Sequence, residues 1–151
     1  MPHPSTDRIE QSIVIQAPRG RVWRALTDAS QFGAWFGVEV DDAFAPGAQV
    51  RGRVINKGYE GVLLAFTVER MEPETLFSWR WHPYAVEPGI DYSAEPTTLV
   101  EFTLEDAPGG TRLTVVESGF ERIPLARQAK AYAMNDEGWA IQVRAIHGYL
   151  R

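Results

Sequence analysis

The residue best placed for chemistry is Glu117. In the alternating segment 111–120, Leu113, Val115 and Glu117 share one face. A strand puts every second side chain on the same side, so inward-facing Leu113 and Val115 would carry Glu117 inward with them. A carboxyl group enclosed by apolar walls is suited to general acid or base catalysis. The other arrangement ends the strand at the domain surface, with Glu117 in water or against an arginine such as Arg53, and the sequence favours it. His82, Tyr84 and Tyr92 lie in or beside a proline-rich stretch and could assist a reaction. Asn135 and Asp136 flank the apolar stripe of a helix, where either one offers a ligand a polar contact or edges the solvated face.

Other chemistries find little to work with. His3, His82 and His147 are the only histidines, and none has a partner at metal-ligand spacing, so no metal site is expected. Ser118 lacks the Gly-x-Ser-x-Gly setting of a hydrolase nucleophile. There is no glycine-rich phosphate cradle, and no cofactor is expected. The absence of cysteine excludes disulfides and thiol catalysis.

Aromatic residues are the strongest positive feature. Trp35, Phe36, Phe66, Trp79, Trp81 and Phe102 fall on successive predicted elements, followed by Phe120, Tyr132 and Trp139. With Val54, Val115, Glu117 and Asn135 they form the candidate wall of a ligand cavity, since small-molecule pockets are mostly apolar with a few polar anchors. The same rings could instead fill a core. Trp79 and Trp81 on one strand face, opposite a tryptophan-bearing helix, give more width than tight packing needs and favour the cavity.

The elements that would position these residues follow from hydrophobic period. A strand is predicted over 9–15, with Ile9, Ile13 and Ile15 on one face. Pro18 suits the first turn of a helix over 18–28, whose apolar face is Val22, Ala25, Leu26 and Ala29. Ser30 is the predicted N-cap of a short helix over 31–36. Strands are predicted over 49–56, 59–71, 75–82, 97–104 and 111–120, the last two joined at Pro108-Gly109-Gly110. Residues 83–96 form a long loop, of a length that is often functional. From 125 to 150 the period is helical, with Leu125, Ala129, Tyr132, Trp139, Val143, Ile146 and Leu150 on one stripe about 39 Å long. Gly138 and Gly148 inside it are expected to permit close approach of another backbone. A run of sequential strands favours an antiparallel sheet. The expectation is an α+β fold, with a curved sheet of about six strands wrapped around a long C-terminal helix and two short helices after the first strand. It forms one domain over 9–151 after a flexible tail, 1–8.

The 151 residues carry a net charge of −5, which suits one domain and argues against a nucleic-acid surface. Arg19, Arg21 and Arg24, like Arg51 and Arg53, read as solvated faces. The N-terminus has no signal-peptide core, and no apolar run approaches the ~20 residues of a membrane span. A cytoplasmic location is expected.

In this order the elements resemble the SRPBCC or START-like helix-grip superfamily, and within it the activator of heat-shock protein 90 ATPase homologue-1-like family. The likeness is carried by APRGRVWRALTDASQFGAWFG, LFSWRW, GTRLTVVESGF and NDEGWAIQVRAIHGYL, and covers nearly all of 9–150. The stretch HPYAVEPGIDYSAEP looks longer than many members carry there, which bears on the shape of the cavity mouth. The resemblance implies a deep pocket between sheet and helix, and no shared catalytic residue set. The function expected is binding of a small hydrophobic or aromatic molecule. A cyclase- or hydrolase-type enzyme using Glu117, His82, Tyr84 or Tyr92 is the alternative, and a chaperone-associated interaction protein ranks last. A homodimer is a further expectation.

Overall fold

Alternation of apolar and polar residues builds one antiparallel sheet. In the computed structural model, which describes residues 8–87 and 89–151, the strands are β1 (Arg8–Ile15), β2 (Val38–Val40), β3 (Gln49–Val54), β4 (Leu63–Glu72), β5 (Leu76–Trp81), β6 (Thr98–Ala107) and β7 (Gly110–Ser118). Their spatial order is β1-β7-β6-β5-β4-β3-β2. Helices α1 (Arg19–Thr27) and α2 (Ala29–Phe36) link β1 to β2, and α3 (Leu125–Leu150) follows β7.

Period two sorts the side chains. On the inner face, Leu64, Phe66 and Val68 of β4, Phe77 and Trp79 of β5, Val100 and Phe102 of β6, and Leu113 and Val115 of β7 are all buried. Register aligns them across strands. Trp79 pairs with Val100, and Val100 pairs with Glu117. The apolar stripe of α3 covers this face, with Ala131, Trp139, Val143, Ile146 and Leu150 buried.

Several expectations change. A seventh strand, β2, pairs with β3 alone, and three residues are too few for alternation to show. It is reached through Gly37, whose φ of 87° ends α2 and where a Cβ would run into Asn56. The cap of α2 is Asp28, whose carboxylate accepts the Gln31 N–H at 3.0 Å, and not Ser30. β4 begins at Leu63 rather than 59, because residues 55–62 fold back as turns, with Val62 N–H donating to Tyr59 O. β7 ends at Ser118, and Phe120 opens a single 3₁₀ turn, Phe120–Arg122. Leu125 is 87% exposed, so the buried stripe of α3 starts later than expected and takes in Ala131. Gly138 and Gly148 meet no backbone, since a Cβ at either has nothing within 4 Å. Of the expected tail only Arg8 is described, and it opens β1. Residues 1–7, His3 included, lie outside the described residues, as does residue 88 of the long loop.

Candidate functional site

Glu117 does face inward, and it is completely buried. It is neither solvated nor paired with Arg53, which lies near Asp41 on β3. Four neutral side chains converge on its carboxyl group. Trp81 Nε1 and Thr98 Oγ1 donate to Oε2 at 2.7 and 2.6 Å. Trp139 Nε1 donates to Oε1 at 2.8 Å, and Asn135 Nδ2 lies 3.0 and 3.2 Å from the two oxygens. A carboxylate offers about four acceptor positions, so this shell uses what Glu117 has. Local structure explains the convergence. Trp81 and Thr98 are directly opposed on β5 and β6, and Asn135 and Trp139 are one helical turn apart on α3.

The aromatic rings mostly fill the interior. Trp79 is fully enclosed, stacked on Phe66 at 4.2 Å and met edge-on by Phe32 and Phe77. Among the described residues its Nε1 meets no acceptor. Phe102 packs between Phe77 and Trp139. Trp35 belongs to the α1–α2 contact, donating from Nε1 to Ala25 O at 2.7 Å. Phe120 packs edge-on against Tyr132, whose hydroxyl donates to Arg8 O, and Val115 is buried in the core.

Open space lies at one end of this cluster. A cleft of about 330 Å³ is walled by Phe36, Val38, Val54, Tyr59 and Val62 on one side. Tyr84 and Val86 of the long loop, with Met134, Gly138, Ile141 and Gln142 of α3, make the other. A smaller recess of about 160 Å³ shares Phe36, Gly138 and Gln142 and reaches Trp81, Asn135 and Trp139. Glu117 therefore stands one layer behind the recess, holding three of its lining side chains. Of the predicted wall, Phe36, Val54, Trp81, Asn135 and Trp139 line this space, and Trp35, Phe66, Trp79, Phe102, Val115, Glu117, Phe120 and Tyr132 do not.

Arg127 fixes the loop side. Its guanidinium donates to Glu95 Oε1 at 2.7 and 3.1 Å and to the carbonyls of Pro83 and Tyr84 at 2.9 and 3.1 Å, and it lies over the Tyr92 ring. Tyr84 is held at φ 50°, a conformation a bulky residue adopts only at a cost. His82 is tied to Glu95 O at 3.0 Å. Ser93, through its side chain first and its N–H second, holds the Asp91 carboxyl below its ordinary range.

A family model described as Activator of Hsp90 ATPase homolog 1-like protein matches residues 16–151. The chain belongs to that family. Among curated proteins none matches. Protein MLL2253 from Mesorhizobium loti is similar in structure, with a TM-score of 0.73 and 26% identity over 95% of this chain and 96% of that one. DynU16, a protein of the dynemicin biosynthetic locus, is 27% identical with a TM-score of 0.73, and this chain covers 48% of its length. The Aha1 dimer from Colwellia psychrerythraea, at 19% identity and a TM-score of 0.71 over 95% of both chains, shares the fold. In this AHSA1-family chain the helix-grip architecture is thus shown.

What sequence reading missed in this candidate site is the cleft's outer half, namely Val38, Asn56, Tyr59, Val62, Val86, Met134, Glu137, Gly138, Ile141 and Gln142. Arg127 and Thr98 were missed as well. The length of the loop was the available signal for the outer half. Gly138, one position before Trp139 on a helix face, was another. No helix among the described residues is long and apolar enough to cross a membrane.

Proposed function

We propose that the chain binds a small hydrophobic or aromatic molecule in the cleft between α2, the β3–β4 hairpin, the long loop and α3. One observation carries this reading. The mostly apolar cleft ends on two tryptophans that a buried carboxylate fixes in place. Its volume falls at the lower end of the ~300–1,000 Å³ usual for small-ligand sites, which suits one or two rings. Acid or base catalysis by Glu117 has less support, because both of its oxygens are engaged and it does not line the cleft. The dimer formed by the Colwellia protein supports a homodimer here, which light scattering decides.

Titration with the uncharged probe N-phenyl-1-naphthylamine tests the reading. Saturable fluorescence enhancement with a raised melting temperature is expected. No enhancement and no melting shift would reject it.

A further inference from the structure

The cleft's polar groups are oriented, and the orientation bears on ligand class. The recess is lined by Phe36, Trp81, Asn135, Gly138, Trp139 and Gln142. Both indole N–H groups are spent on Glu117. Asn135 turns its NH₂ to the same carboxyl, since its oxygen there would face another acceptor. Gln142 turns its NH₂ to Phe36 O at 3.0 Å. Each amide thus commits an N–H to a protein acceptor and keeps its carbonyl oxygen, with at most one further N–H, to offer. Asn56 at the rim repeats the pattern, donating to the same Phe36 carbonyl.

Charge points the same way. Glu117 lies directly behind the recess and Glu137 lines the cleft. Glu60 and Glu87 line the adjoining depression, which shares Val62 and Val86 with the cleft. On the loop side, Arg127 is committed to Glu95 and to loop carbonyls. Lys57 is in the exposed hairpin turn and is not part of the lining. An anion entering the recess would meet the amide carbonyl oxygens and the like charge of the glutamates around it. An O–H or N–H would meet free carbonyl oxygens.

Building on the binding role above, we propose that the cleft selects an uncharged or cationic aromatic compound whose hydrogen-bond donor reaches Asn135 and Gln142, and that it rejects carboxylates. Tyr59 and Tyr84, whose hydroxyls can donate or accept, belong to the outer cleft and not to the recess.

Tryptophan quenching with four matched probes tests this: naphthalene, 2-naphthol, 2-(aminomethyl)naphthalene and 2-naphthoate. The naphthol and the amine should bind more tightly than naphthalene, and 2-naphthoate at least tenfold more weakly than 2-naphthol. In Gln142→Met the ratio of 2-naphthol to naphthalene affinity should fall at least threefold. Binding of 2-naphthoate as tight as that of 2-naphthol overturns the selectivity and leaves the binding role standing. No quenching by any probe overturns both.

Discussion

Trp81 on β5 and Trp139 on α3 donate from their indole Nε1 atoms to opposite oxygens of one carboxyl group, at 2.7 and 2.8 Å, with ring centroids 5.9 Å apart. Sheet and helix are thus joined by a polar contact at the inner end of an apolar cleft. In the proposed binding role Glu117 would act on a ligand through these rings, as a positioning residue.

Removing that acceptor strands its donors. Glu117→Gln keeps the shape but sets an NH₂ against N–H groups, and should cost about 2–3 kcal/mol, the scale of a lost hydrogen bond to a buried charged group. Glu117→Leu leaves all four donors unpaired and should cost more. Urea unfolding at unchanged m-value measures both. A neutral Glu117→Gln would remove the carboxyl from the architecture.

Gly138 leaves the gap that α3 needs beside the cleft, and a Cβ there touches nothing. Gly138→Ala should therefore stabilise the protein by up to ~1 kcal/mol through helix propensity. Gly138→Leu should fold normally, fill the space and abolish binding of N-phenyl-1-naphthylamine. Retained affinity in a folded Gly138→Leu would place the ligand elsewhere.

The fold was legible because its signals are periodic. Ile9, Ile13 and Ile15 in β1, and Phe77, Trp79 and Trp81 in β5, announce a face two residues at a time. The site was half legible. That Leu113 and Val115 carry Glu117 inward follows from the pleat, but its four donors come from three other elements, and only register brings Trp81 and Thr98 opposite each other. The rings were visible and their packing was not. Whether Trp79 lines a space or fills one depends on Phe32 and Phe66, which reach it from α2 and β4. The cleft's outer wall is assembled from turns and a loop, where no period exists to read.

Arg127 closes the long loop onto the start of α3. Arg127→Ala should speed hydrogen exchange in the described parts of residues 83–96 and weaken probe binding several-fold, as Tyr84 loses its tether. Arg127→Lys should recover only part of this, since an ammonium cannot reproduce the guanidinium fork. Unchanged exchange in Arg127→Ala would show that the loop holds itself.

Packing around the Tyr132 ring, with the nearby Asp136 charge, raises its hydroxyl pKa above the ordinary 10.0. Above about pH 10 the unfolded chain releases this proton more readily than the folded one, so the folded state holds more protons and stability falls as pH rises. The contribution is fully present below that value. Tyr132→Phe should flatten the decline of melting temperature between pH 9.5 and 11 (about the tyrosine range), and an identical slope in the variant would contradict this.

The central claim is that a small aromatic molecule sits against Trp81 and Trp139. The five tryptophans give separate indole N–H signals in a ¹⁵N–¹H spectrum, assignable by single Trp→Phe variants. Titration with 2-naphthol should move the signals of Trp81 and Trp139 saturably and leave those of Trp23 and Trp35 in place. Signals that all stay fixed, or a shift confined to Trp23 or Trp35, would contradict the account.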